Sequence, residues 1–206
     1  MQLVGICGEI GSGKSLVSDY LVNKLQYDEY AFAKPVKDVA TAMGFTHNEV
    51  WGTQDQKLSK NKYWGISARE FLQKFGTEIG REILPSIIPN MDMGTSGSPW
   101  IKLFEIYWKS LIERKGDSAT LVVSDVRFVD EANAVKQNSG ILIRLVRKRK
   151  NISGAEHKHA SETSMKDIKV DYVVYNNGTK KELYEKIFNI MKHTQIINKP
   201  EKILQN

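Results

Sequence analysis

The chain has 206 residues, 41% hydrophobic and 26% charged, which excludes a disordered or fibrous protein and allows a core without disulfide staples. Thirty Lys and Arg against twenty-four Asp and Glu leave a net charge of +6, which suits an anionic partner: nucleic acid, an acidic membrane surface or phosphorylated small molecules. No apolar run approaches the roughly 18 residues that span a bilayer, and the N-terminus lacks the basic start and cleavage site of a secretory leader. The expected setting is therefore cytoplasmic, with no membrane partner.

In chain order, the first predicted element is a strand over Leu3–Cys7, which starts the fold almost at residue 1. Cys7, the single cysteine, ends this apolar run and reads as a small buried hydrophobe. A glycine-rich stretch follows, then a helix over Lys14–Leu25 with Leu16, Val17, Tyr20, Leu21 and Leu25 at helical spacing. Asp28–Phe32 is a weaker strand. Helical patterns cover Ala68–Gly80 and Pro99–Arg114, separated by a Gly-, Ser- and Pro-rich loop over Pro85–Pro99. Thr120–Ser124 and Gly140–Val146 are short β-branched strands flanking a helix over Asp130–Gln137. Val170–Tyr175 is a further strand, and a helix over Lys180–Lys192 closes the order. Alternating strands and helices predict an α/β fold, a parallel sheet flanked by helices in three layers. A single domain over 1–195 is expected, with a polar tail over 196–206.

The stretch Gly8-Glu9-Ile10-Gly11-Ser12-Gly13-Lys14-Ser15 matches the G-x-x-x-x-G-K-[ST] phosphate loop in full. Gly8, Gly11 and Gly13 allow backbone amides to turn inward without a Cβ in the way. The helix that follows adds unpaired N-terminal amides, which attract anions. Lys14 is placed to reach the β- and γ-phosphate oxygens of ATP, and the Ser15 hydroxyl to ligate Mg²⁺. Strand before and helix after are the context this mechanism requires. Asp125 follows the strand Thr120–Ser124, at the sheet edge where ligands collect, and is a second candidate for the Mg²⁺ shell. A GTPase is disfavoured: the nearest string to a guanine-reading motif, Asn198-Lys199-Pro200-Glu201, lacks its Asp and lies in the tail.

Transfer onto a phosphorylated acceptor must neutralise two anions and hold them in line, work suited to the planar fork of arginine. Arg127 lies two residues beyond Asp125. Arg147 and Arg149 follow the strand Gly140–Val146, and Arg69 and Arg81 bracket the helix over Ala68–Gly80. Lys34 and Lys37 follow the second strand. The segment 147–163, basic and without apolar period, reads as a short lid that could bring Arg147 or Arg149 onto the transferring group. His157 and His159 read as surface histidines, since no helical pair or cysteine supports a metal site.

The strings Phe32-Ala33-Lys34-Pro35-Val36-Lys37, Arg69-Glu70-Phe71-Leu72-Gln73-Lys74-Phe75-Gly76-Thr77-Glu78-Ile79-Gly80-Arg81 and Asp125-Val126-Arg127-Phe128-Val129-Asp130-Glu131-Ala132 resemble the deoxynucleoside monophosphate kinases of phages and large DNA viruses. His159-Ala160-Ser161-Glu162 and Asp171–Asn177 extend the likeness. The resemblance implies an adenylate-kinase-like P-loop fold with a helical acceptor-binding part over about 34–100. It implies ATP, Mg²⁺ and a deoxynucleoside monophosphate as reactants, with no stable nucleic-acid partner, in host cytoplasm for a viral enzyme. It implies that Arg69 and Arg81 belong to the acceptor side, that Arg127 holds the acceptor phosphate, and that Gln73 and Glu78 contact base or sugar. Trp64, Phe71, Phe75 and Trp100 are candidates for stacking on the base, against a plain core role. Two other readings stay open on the residues: a kinase for a non-nucleotide acceptor, like phosphomevalonate or dephospho-coenzyme-A kinase, and an ATP-dependent nucleic-acid-binding or switch protein supported by the charge alone. Base preference and oligomeric state are not encoded in any of these strings.

Overall fold

A computed structural model describes residues 1–94, 97–147 and 164–197. The chain divides into two units, Met1–Glu29 with Lys115–Asn206, and Tyr30–Arg114. Among the described residues, no helix is long and apolar enough to cross a membrane.

The first unit is built on a sheet of order β2-β3-β1-β4-β5, from β1 (Gln2–Cys7), β2 (Asp28–Tyr30), β3 (Thr120–Val123), β4 (Ile141–Val146) and β5 (Tyr172–Tyr175). β1 runs parallel to β3 and β4, and β4 parallel to β5, with Gly5 opposite Val123 and Cys7 opposite Arg144. All six residues of β1 are buried, as expected of a central parallel strand covered on both faces. One face carries Val4, Ile6, Val122, Ile143, Leu145 and Val174, packed on Val17 and Leu21 of α1 (Lys14–Leu25) and Leu183, Ile187 and Met191 of the C-terminal helix, Lys180–Ile197. Each such side chain contributes about 1.5–3 kcal/mol by leaving water. The other face is closer. A Cβ at Gly5 would lie 2.7 Å from Leu142 Cδ2 and 3.1 Å from Val126 Cγ2, so glycine there lets the loop after β3 approach the strand.

Local chemistry starts and stops these helices. α1 ends at Gln26, whose left-handed backbone (φ 59°) lets its N–H cap the Leu21 carbonyl. The C-terminal helix begins with a reciprocal cap between Thr179 and Glu182. The predicted strands and helices of this unit are all present; β2 stops at Tyr30 rather than Phe32.

The second unit is helical, and most of its short elements were absent from the sequence expectation. α2 (Ala33–Ala42) turns the stretch holding Lys34 and Lys37 into helix. α3 (His47–Trp51) and α4 (Gln54–Leu58) each have a Thr capping box, Thr46 with Glu49 and Thr53 with Gln56. α5 (Ala68–Lys74), capped by Ser67, runs into a π-helix, Phe75–Ile83, and then α6 (Leu84–Ile87). The expected single α-helix over Ala68–Gly80 is thus composite. Its widening has a visible partner: Trp100 donates its indole N–H to the Gly76 carbonyl at 2.8 Å and packs so close to Gly80 that a Cβ there would enter the ring. A side chain inserted against the ladder is a recognised cause of such a distortion. The expected loop starts later than Pro85, because that proline lies in α6, which continues directly from the π-helix to Ile87. α7 (Pro99–Lys115) follows, then β3, α8 (Val129–Gln137), β4, β5 and the C-terminal helix, α9. A small cluster of Ala40, Phe45, Val50 and Ala68 forms one core of the second unit.

Candidate functional site

The site begins where β1 stops. Gly8 (φ 145°), Gly11 (φ 77°) and Gly13 (φ 107°) carry the chain from the sheet into α1 through left-handed backbone that other residues resist. Space matters as much as φ at Gly8, where a Cβ would lie 2.5 Å from the Leu145 carbonyl oxygen and 2.8 Å from Ser12 Oγ. Ser12 N–H donates to Glu9 O at 3.1 Å, closing the turn. The Lys14 ammonium folds back over the loop and donates to the carbonyls of Gly8 (2.6 Å) and Glu9 (2.9 Å). α1 opens without a side-chain cap at Gly13 and without an acidic residue in its first turn, which leaves the positive end of the helix dipole suited to an anion. Ser15 is exposed in that first turn.

The loop after β3 lies beside the end of β1, since Val126 N–H donates to the Ile6 carbonyl at 3.1 Å. This sets half-buried Asp125 next to the strand that feeds the glycine loop, with Arg127 exposed two residues on. Glu131 of α8 holds that segment. The residue is 3% exposed, and its carboxylate accepts from the backbone N–H of Arg127 at 2.7 Å and Phe128 at 3.2 Å. Glu131 was quoted in the sequence only as part of a family string; its spacing from Phe128, that of a helix-capping pair, was the available signal for its job.

The end of β4 forms another wall. A cavity of about 180 Å³ is lined by Gly8–Ile10 and Ser12 of the loop, Arg144–Arg147, and Met165 and Lys166 of the turn Ser164–Asp167. Ser12 is 3% exposed and its Oγ has no partner among the described residues. Arg144 donates to the carbonyls of Met165 (2.9 Å) and Ile168 (2.5 Å) and so holds this turn against the strand. Burial pushes the neighbouring Cys7 thiol up, and the hydrogen bond from Arg144 offsets only part of that, so Cys7 stays a neutral, buried thiol. Arg147 lines the cavity. Arg149 and most of the expected lid, with His157 and His159, lie outside the described residues.

The remaining sequence candidates belong to the second unit. Lys34 is exposed and paired with Asp38 at 2.6 Å. Lys37 sits 4.1 Å over the Trp51 ring. Arg69 donates to Gln54 Oε1 at 2.8 Å; Gln73 is on α5, and Glu78 and Arg81 are on the π-helix. Phe71 stacks on Phe75 with centroids 5.3 Å apart, and Phe75 tilts against Trp100. Trp64 differs from these: it is 51% exposed, with its indole N–H on the Met43 carbonyl at 2.8 Å.

Comparison with known proteins gives the family. A family model described as deoxynucleotide monophosphate kinase matches residues 41–187. A protein of Acanthamoeba polyphaga mimivirus, provisionally named a deoxynucleotide monophosphate kinase, is 33% identical over 201 residues, 96% of this chain and 100% of its own length. The deoxynucleotide monophosphate kinase of Escherichia phage RB69 is 28% identical over 134 residues, 64% of this chain and 47% of that protein. Among solved structures, dephospho-CoA kinase from Campylobacter jejuni aligns with a TM-score of 0.47 at 15% identity, over 97% of this chain and 100% of that one. A glycine loop bound between a central parallel strand and an uncapped helix, together with these matches along the sequence, means that the chain belongs to the deoxynucleotide monophosphate kinase family.

Proposed function

We propose that this chain transfers the γ-phosphoryl group of ATP directly to the phosphate of a deoxynucleoside monophosphate, yielding a deoxynucleoside diphosphate and ADP. The observation that carries this reading is the loop Gly8–Ser15, whose glycines take left-handed backbone and, at Gly8 and Gly13, sit where a Cβ would strike Leu145 O and Asn176. The tight turn that they allow, the helix N-terminus and Lys14 suit a polyphosphate. The buried Ser12 hydroxyl suits a phosphate oxygen for the same reason.

An oxygen of the acceptor phosphate attacks the γ-phosphorus as the bond to the ADP oxygen breaks. The work left to the protein is alignment and charge stabilisation. Lys14 follows charge that develops on the β- and γ-oxygens. Arg127, its backbone pinned by Glu131, holds the acceptor phosphate, and Arg147, with Arg149, neutralises the group in flight. Ser15 and Asp125 offer a hydroxyl and a carboxylate oxygen, the hard donors Mg²⁺ accepts alongside phosphates and water. Bound there, Mg²⁺ would draw charge from the bridging phosphate oxygens. Lys34, Lys37, Arg69, Gln73, Glu78 and Arg81 of the second unit serve the acceptor. No protein base is required, because an ionised phosphate is already the nucleophile.

The test is ADP release in the presence of ATP and Mg²⁺, measured across deoxynucleoside monophosphates, ribonucleoside monophosphates and non-nucleotide phosphorylated acceptors. Turnover is expected with at least one deoxynucleoside monophosphate. Turnover restricted to non-nucleotide acceptors would overturn the acceptor assignment and leave the donor site standing.

A further inference from the structure

The phosphate loop is held from outside itself. Asn176, the first residue after β5, donates its side-chain N–H to the Ser12 carbonyl at 2.9 Å. It is 7% exposed. Its own backbone N–H donates to Val146 O at 2.8 Å, which fixes it to the end of β4. The contact therefore reaches from the outer strand of the sheet, past β4, to the loop that leaves β1. Gly13 is shaped to allow it: besides its left-handed backbone, a Cβ there would run into Asn176 Nδ2.

Peptide geometry makes this contact directional. In a trans peptide the carbonyl and the following N–H point in opposite directions from one plane. Holding the Ser12 carbonyl on Asn176 turns the Gly13 N–H away from Asn176. Without that anchor the Ser12–Gly13 peptide, with glycine on one side, rotates at little cost. A flipped peptide would aim a carbonyl oxygen where an amide donor is wanted.

We infer that Asn176 is a positioning residue for the donor's phosphates: it orients the Ser12–Gly13 peptide of the loop and needs no contact with the nucleoside. This rests on the reading that the loop takes the triphosphate of ATP. The two ideas separate if binding of ATP and of inorganic tripolyphosphate is measured by calorimetry for wild type, Asn176→Ala and Asn176→Asp, alongside thermal melting and the acceptor KM.

Loss of one hydrogen bond, about 1.4 kcal/mol, should weaken ATP and tripolyphosphate alike by about ten-fold in Asn176→Ala. The acceptor KM should stay at its wild-type value. Asn176→Asp, which sets a carboxylate against the Ser12 carbonyl, should lose more at neutral pH. It should recover towards the Ala variant or beyond as acidification protonates that carboxyl and restores a donor. Asn176→Ser, polar but too short to reach the carbonyl, replaces Asn176→Ala if the latter does not fold, with the same expected loss. Unchanged binding of both ligands would overturn the inference. So would a loss confined to ATP, which would make Asn176 a nucleoside contact, or a loss shared by the acceptor KM and in step with the melting temperature, which would make it merely structural. A wild-type protein that binds neither ligand would overturn the donor-site reading itself.

Discussion

The two units are stabilised in different ways. The sheet unit buries its central strand completely and sandwiches it between helices, with Leu21, Ile143, Leu145 and Ile187 at most 1% exposed. The helical unit is made largely of five- to ten-residue helices around a cluster of Ala40, Phe45, Val50 and Ala68, and it leaves Trp64, Ile83 and Ile87 substantially exposed. Helices that short are not stable alone. They depend on caps, such as Thr46 with Glu49, and on buried polar anchors. One such anchor is Asn61, 3% exposed, which donates to Glu49 and accepts from the backbone of Tyr63 and Trp64. The comparison teaches that the loop Gly8–Ser15 leaves a fully buried central strand, while the acceptor candidates of the helical unit stand on short elements that need caps and polar anchors beside their hydrophobic contacts.

Substitutions can break that contrast, and the largest effect belongs to the loop. Lys14→Ala should lower kcat by at least about 10²-fold, the scale of losing one charge-stabilising donor, with melting unchanged; steady-state kinetics beside a melting curve checks both halves. Asn61→Ala strands buried groups and should cost about 2 kcal/mol. Hydrogen exchange should show that loss in residues 33–83 while ATP binding is retained, and a loss spread evenly over both units would erase the distinction. Glu49 gives the smallest and most specific effect. The Thr46 backbone N–H is the main reason its carboxyl is held below the usual range, with help from the Thr46 and Asn61 side chains. A depressed folded pKa contributes stability that is present above the ordinary carboxylate value and fades as pH falls through the folded one. Glu49→Gln should therefore be less stable than wild type at neutral pH, and the two denaturation midpoints should converge on acidification.

How much could be read in advance follows the same divide. From Leu3 to Leu25 the instructions are local: an apolar strand, glycines at fixed spacing, then a helical period. The later strands are short β-branched runs with clear ends. In the helical unit, five-residue helices offer no full period to detect, although the Thr46…Glu49 and Thr53…Gln56 caps are written in the sequence. The π-helix was unreadable because the indole that accompanies it, Trp100, is twenty-four residues from its Gly76 partner. Likewise the loop residues announce themselves and the Glu131 cap is local, while Asn176 acts on a backbone group whose nearness only the fold creates.

The most direct measurement follows the label of γ-³²P-ATP incubated with the protein, Mg²⁺ and each deoxynucleoside monophosphate in turn. The label should appear in a deoxynucleoside diphosphate, in amounts matching the ADP formed. Label found only in inorganic phosphate, or left on ATP with every acceptor, would contradict a donor loop at Gly8–Ser15 that serves direct transfer.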